Sequence, residues 1–269
     1  MTTTQPESGY AEVGEVRMYY ERHGAGHPLV LLHGAISAIP TSFGAVLDPL
    51  AETHEVIAIE LQGHGRTADV PGRPLDIPTL ADDVAGLLAG IGIEQADFFG
   101  YSLGAGVTFD LARRYPELVR RQVLASVSYN RAGLQPGMID GMKQVTAEAL
   151  AGSPYHAEYL ALAPNAGDFE SLIGKIANLE FPDLDDDVVR SIQAPTLLIA
   201  GDSDIVQLPH IVKMFQLLGG GVNGDLAGLP DSQLAILPGT SHTMVSARPE
   251  VLVPMIRTFL DEPLPSAAR

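Results

Sequence analysis

The run Phe98-Phe99-Gly100-Tyr101-Ser102-Leu103-Gly104-Ala105-Gly106 constrains this chain more than any other stretch. An apolar segment, residues 96–99, leads into it, and a helix-forming segment, residues 107–115, leads out. Glycines at 100 and 104 remove the Cβ atoms that would otherwise hold a strand and a following helix apart. The spacing predicts a strand, a very tight turn and a helix, with Ser102 raised on the corner at the carboxyl end of the strand. The first helical turn leaves backbone N–H groups unpaired beside that hydroxyl, a setting that favours developing negative charge. A lone G-x-S-x-G also fits a tight turn carrying an idle serine, so its meaning depends on what the rest of the chain supplies.

The rest of the chain alternates. Leu29-Val30-Leu31-Leu32 is a continuous apolar run suited to a strand buried on both faces, and it ends in His33-Gly34-Ala35. Residues 15–22, 55–61, 119–127, 195–200 and 233–237 read as further strands. Residues 42–52, 79–91, 205–218 and 248–260 carry apolar side chains at helical spacing. Strands alternating with helices imply an α/β fold, a mainly parallel sheet flanked by helices on both sides. From Tyr129 to Arg190 the alternation stops. Helical stretches punctuated by Gly152, Pro154, Pro164 and Gly167 predict an inserted helical cap over 129–190, with 1–128 and 191–269 forming the core domain. Gly219 to Asp225 reads as a flexible link.

Composition narrows the partners. At 269 residues the chain can bury one large core, and 46% hydrophobic against 18% charged residues argues against disorder. Sixteen basic and 33 acidic residues leave a net charge of −17, which repels nucleic acid and anionic membranes, so neither is expected as a partner. The chain has no cysteine, hence no disulfide framework and no thiolate metal site. Residues 1–9 are polar and show no secretory signal, and no apolar run reaches membrane-spanning length. These features fit a cytoplasmic protein, monomer or homodimer, with a small-molecule substrate. Residues 263–269 read as a frayed tail. The acidic run Asp183, Asp185, Asp186 and Asp187 reads as a solvated helix start rather than a metal site, since no histidine lies nearby.

A serine hydroxyl needs a base within hydrogen-bond reach, and that base needs an orienting acid. In an open α/β sheet, reactive groups gather at the carboxyl ends of strands. Three loops that follow predicted strands offer the needed types: Ser102, Asp202 or Asp204, and His242.

With these residues in view the chain resembles an α/β-hydrolase of the esterase, cofactor-free haloperoxidase and lactonase group. The similarity rests on His33-Gly34, Gly63-His64-Gly65-Arg66-Thr67, Gly100-Tyr101-Ser102-Leu103-Gly104, Gly201-Asp202-Ser203-Asp204 and Gly239-Thr240-Ser241-His242, and it runs through nearly the whole chain. It says least about the cap. The resemblance implies Ser102 as nucleophile, His242 as general base and then acid, and Asp204 as the orienting acid, with Asp202 bracing its loop. It places the oxyanion hole at the backbone N–H groups of Ala35 and Leu103, with Ile36 as the neighbour of interest, and makes His33 and His64 structural. Glu60 departs from the family, where aspartate is common at that strand end. No metal or organic cofactor is implied.

Substrate contacts are expected from Tyr101 and from Met138, Met142, Tyr155 and Tyr159 of the cap, around an apolar pocket for a medium or large ester or a lactone. The glycine-rich insert before residue 239 resembles that of lactone-opening enzymes, macrolide esterases among them. Perhydrolase, haloperoxidase and carbon–carbon bond hydrolase chemistry share the same framework. Dehalogenase and epoxide hydrolase chemistry do not, because those relatives carry aspartate at the position of Ser102. A receptor-like binder keeping the fold is the non-enzymatic alternative.

Overall fold

The computed structural model describes residues 7–262; the expectations for residues 1–6 and for the tail at 263–269 lie outside them. Eight strands form: β1 (Glu7–Val13), β2 (Val16–Gly24), β3 (His27–Leu32), β4 (His54–Ile59), β5 (Ala96–Tyr101), β6 (Val119–Ala125), β7 (Thr196–Ser203) and β8 (Gln233–Ser241). They lie in one sheet in the order β1-β2-β4-β3-β5-β6-β7-β8. The β1–β2 and β2–β4 pairs are antiparallel, and every later pair is parallel.

The apolar runs explain the layering. Along β3, Val30 and Leu32 join one core with Ile57, Ile59 and Phe98. Leu29 and Leu31 face the other way and join Val56, Ala58 and Phe99. A period of two thus buries both faces. On the first face pack helices Ile77–Gly90 and Leu103–Arg114, through Leu80, Val84, Leu87, Val107 and Leu111. On the second pack the short helices Ile39–Phe43 and Leu47–Ala51 and the last helix, Pro249–Asp261, through Phe43, Leu50, Leu252, Ile256 and Phe259. Between β6 and β7 the chain forms short helices, Met138–Lys143, Pro154–Leu162, Phe169–Ala177 and Asp186–Arg190. No helix among the described residues is long and apolar enough to cross a membrane.

Several local expectations differ from what forms. β1 is unforeseen, because its exposed edge position leaves little apolar alternation to read. The single helix expected over 42–52 is two, since Pro49 has no N–H with which to continue one helix through that point. β7 and β8 run past their expected ends, and Ser203 pairs with Ser241 beyond a bulge. Pro238 is tolerated because β8 is an edge strand. The acidic run opens helix Asp186–Arg190, with Asp186 bound to the Tyr129 hydroxyl and to Lys213.

The glycines of the elbow are required by distance. A Cβ on Gly100 would lie 2.4 Å from the Gly104 carbonyl oxygen, and one on Gly104 would lie 2.0 Å from the Leu32 carbonyl oxygen of β3. Both obstacles are backbone and cannot swing away. Gly104→Ala is therefore expected to destabilise the fold by about 3 kcal/mol, read as a lower urea midpoint at unchanged slope. A midpoint equal to that of the unsubstituted protein would refute the close approach.

Candidate active site

Ser102 links β5 to helix Leu103–Arg114 at φ 54° and ψ −113°. Such a conformation costs a non-glycine residue about 1–3 kcal/mol and persists only where the surroundings enforce it. Here Ser102 N–H donates to the Ala125 carbonyl at 2.9 Å, Gly104 N–H to His33 at 3.0 Å, and Gly106 N–H to Ser102 itself at 3.0 Å. Among the described residues, the non-glycine positions at positive φ are Ile36, Ser102 and Ser126. All three border one cavity. Backbone strain is concentrated at this rim.

Three loops converge on Ser102. His242 follows β8, and its Nε2 lies 3.0 Å from Ser102 Oγ. Its Nδ1 lies 2.8 Å from Asp204 Oδ1, in the loop after β7. A carboxylate can only accept there, so Nδ1 carries the hydrogen and Nε2 turns a lone pair to the serine. The Tyr101 hydroxyl donates to the His242 carbonyl at 2.9 Å and fixes the backbone beneath the ring. Asp204 is buried, and its Oδ2 accepts from Ser126 Oγ at 2.6 Å and from Gly201 N–H at 3.2 Å. Burial pushes this carboxyl towards protonation, but the hydrogen bonds from His242, Ser126 and Gly201 outweigh it and hold the group below its ordinary range.

The two candidate acids separate cleanly in space. Asp202 accepts from Gly239 N–H at 2.8 Å and Thr240 N–H at 3.1 Å, bracing the segment that presents His242. Asp204 alone of the two touches the imidazole.

Ala35 and Leu103 also border the cavity, and neither backbone N–H has a protein acceptor among the described residues. The turn that carries Ala35 is braced from behind. His33 donates from Nδ1 to the Gly34 carbonyl at 2.8 Å and accepts at Nε2 from Leu61 N–H at 3.0 Å. Burial, with His64 adding to it, drives the His33 pKa down to about 3, so the ring stays neutral. His64 is buried 4.9 Å away, ring to ring, and burial drives its pKa down to about 4. Glu60, fully buried, receives the Arg66 guanidinium at 2.8 Å, and burial raises its pKa to about 7. From the inserted segment, Glu158 reaches the same turn. Its two oxygens accept from Ala38 N–H and Thr41 N–H, each at 2.8 Å, at the start of helix Ile39–Phe43. A second tie joins Lys175 to Asp69 at 2.6 Å.

The cavity encloses about 280 Å³ above Ser102. Tyr101 forms part of its floor, and Met138, Met142 and Tyr155 of the inserted segment form part of its roof. Tyr159 does not line it. That ring is buried, packs against Phe169 at 5.0 Å, and borders a separate small gap behind the Ile36–Ala38 turn. Its helix turns the side chain into the core, which corrects the expectation of a substrate contact. No lining residue is an aspartate, glutamate, lysine or arginine. Three residues near the site escaped notice in the sequence: Ser126, Ser128 and Glu158. The first two follow β6 at its carboxyl end, the position where reactive groups collect, and that placement was the available signal. Glu158 offered none.

A mainly parallel sheet carrying serine, histidine and aspartate on three strand-end loops defines an α/β-hydrolase arrangement. Residues 27–163 match the alpha/beta hydrolase fold family, and the chain belongs to it. It is similar to 2-(acetamidomethylene)succinate hydrolase of Mesorhizobium japonicum, at 25% identity over 93% of this chain and 94% of that protein. It is also similar to a putative non-heme chloroperoxidase of Synechocystis, at 27% identity over 93% of this chain and 99% of that one. Its fold matches a meta-cleavage product hydrolase from Pseudomonas fluorescens with a TM-score of 0.72 at 20% identity, over 91% and 94% of the two chains. The family and these relatives support hydrolase activity.

Proposed function

We propose that this protein is a serine hydrolase that cleaves a carboxylic ester or lactone through an acyl-enzyme on Ser102. The observation that carries the reading is the continuous hydrogen-bonded line from Ser102 through His242 to Asp204, opening into a cavity without fixed charge.

The chemistry follows from the geometry. His242 Nε2 takes the Ser102 proton as Oγ attacks the carbonyl carbon. Asp204, ionised and bonded to Nδ1–H, stabilises the imidazolium that results. The Ala35 and Leu103 N–H groups receive the oxyanion, each worth about 3 kcal/mol in the transition state. The imidazolium then protonates the departing alkoxide, which leaves as the alcohol. In a lactone that alcohol stays tethered to the acyl group. His242 next deprotonates a water that attacks the acyl-enzyme and frees Ser102. The cycle calls on no metal or organic cofactor.

Volume ranks the substrates. A cavity of about 280 Å³ lies at the small end of ordinary ligand sites, which favours a medium-chain ester or a small lactone; a macrocyclic lactone requires the roof to move. The lining favours a neutral, largely apolar acyl part, since no lysine or arginine is present to pair with a carboxylate.

The test is a fluorophosphonate probe with intact-mass readout, together with p-nitrophenyl esters of rising chain length and small and macrocyclic lactones. The expected result is one adduct, on Ser102, and gain of one water by the preferred substrate. No adduct would defeat the reading. A second reading, a perhydrolase that passes the acyl group to hydrogen peroxide, is favoured by the likeness to the putative chloroperoxidase. It is separated by whether peroxide at matched concentration captures the acyl group faster than water does.

A further inference from the structure

A second serine–histidine pair stands in the wall of the same cavity. Ser128 borders the cavity, three residues past the end of β6. Its Oγ lies 3.0 Å from Nε2 of His210, on helix Leu208–Leu217. The same oxygen donates to the Asn130 carbonyl at 2.6 Å. A carbonyl only accepts, so the single Ser128 hydrogen is committed to Asn130. His210 Nε2 must then be the donor into Ser128 Oγ. A hydroxyl oxygen has two lone pairs, and His210 fills one. The other is claimed by no hydrogen bond among the described residues.

The pair is held rigidly. His210 is 9% exposed. Tyr129 stacks on its ring at 4.4 Å and 22°, and Tyr129 is itself tied through its hydroxyl to Asp186, which pairs with Lys213 at 2.9 Å. On another side the backbone of Gly133 lies so close that a Cβ there would meet Ser128 Oγ at 2.3 Å and the His210 ring at 2.4 Å. Burial lowers the His210 pKa to about 4, with Lys213 next in effect, while Asp186 opposes; the ring is a neutral donor near pH 7. The neighbouring hydroxyls differ. Ser126 gives its hydrogen to Asp204 and is 4% exposed; Ser37 gives its own to Gly34 and is 5% exposed. Ser128 is half-buried, open to the cavity, and has a buried imidazole bonded to it alone through Nε2.

We propose that Ser128, oriented by His210, is an acceptor subsite that binds an N–H or O–H group on the substrate. The inference rests on the ester or lactone reading and narrows it to esters or lactones that carry an amide N–H or a hydroxyl beside an apolar chain.

The test compares an α-acylamino-γ-butyrolactone with its N-methyl counterpart, which lacks the donor. The unsubstituted protein is expected to favour the N–H compound about tenfold in kcat/KM, the effect of one neutral hydrogen bond, with the difference mainly in KM. Ser128→Ala is expected to bring the ratio close to one, and Ser128→Thr to retain most of it. His210→Phe, which keeps the stack on Tyr129 but loses the donor, is expected to fall between. Fluorophosphonate labelling of Ser102 in each variant checks that the site is intact. A ratio unchanged by Ser128→Ala overturns the proposal. The same two lactones titrated calorimetrically onto Ser102→Ala give the ratio as dissociation constants without turnover. Discrimination there without hydrolysis by the unsubstituted protein would uphold the subsite and refute the ester or lactone chemistry; equal binding would refute the subsite.

Discussion

Replacing Ser102 with alanine is expected to lower kcat for the preferred ester or lactone by about 10⁶-fold, the scale seen when a nucleophile is removed from a coupled triad. The loss comes from the missing covalent step. Substrate binding and the Ala35 and Leu103 donors persist, so a residual acceleration of about 10³-fold over water remains measurable in long incubations. Stability is expected to change little. The hydroxyl makes one side-chain hydrogen bond, to His242 Nε2, and the elbow is held by backbone bonds that alanine retains. The measurement is turnover beside a thermal melt. Activity within tenfold of the unsubstituted protein, on a preparation checked by mass, would remove Ser102 from the chemistry.

Asp204→Asn is expected to lower kcat by about 10⁴-fold, and Asp202→Asn by less than tenfold. Gly201 N–H points at Asp204 Oδ2 and cannot turn away, because it belongs to the backbone. Oδ2 also accepts from Ser126, whereas Oδ1 has only the longer bond from Val206 N–H at 3.4 Å, so the new amide sets its oxygen towards Gly201 and Ser126 and its NH₂ towards His242 Nδ1. That arrangement forces Nδ1 to accept, so Nε2 carries the hydrogen and faces Ser102 with nothing to take the serine proton. The fold survives while the tautomer is wrong. Asp202 braces the Gly239–Thr240 backbone from an exposed position and does not touch the imidazole, so its amide disturbs a loop and not a proton transfer. Steady-state kinetics on both variants decides the matter, and the reverse ranking would move the acid to 202. The lowered Asp204 pKa adds a pH signature. Its stabilising bonds are present above the ordinary carboxylate range and are lost as pH falls through the folded value, so Asp204→Asn is expected to reduce the loss of stability on acidification.

Much of this was legible in the residues because the strongest signals are short and local. An apolar run such as Leu29–Leu32 can be satisfied only by burial on two faces. The glycines at 100 and 104 mark close backbone approach wherever they fall. Gly-x-x-Asp and Ser-His after the last two parallel strands carry their own turn chemistry. What escaped depends on contacts across long sequence separation. Tyr159 looked like the other aromatic residues of its segment, and only the packing of helix Pro154–Leu162 against Phe169 turns it inward. Ser126 and Ser128 are ordinary serines until Asp204 and His210 come within reach, 78 and 82 residues later. β1 is exposed along one side and has no hydrophobic face to announce it.

The Glu158 carboxylate ties the roof to the turn that follows β3. It stands 120 residues from Ala38 in sequence, yet it accepts from two backbone N–H groups at the start of helix Ile39–Phe43, where Glu60 accepts from Ile39 N–H. Were the roof to swing outward to admit a bulky guest, that carboxylate would depart with it, and the Ile36 turn would keep its braces from His33 and Glu60 but lose its tie to the roof. In the acyl transfer proposed above, the oxyanion would then meet its most firmly held donors when the roof is closed over the substrate.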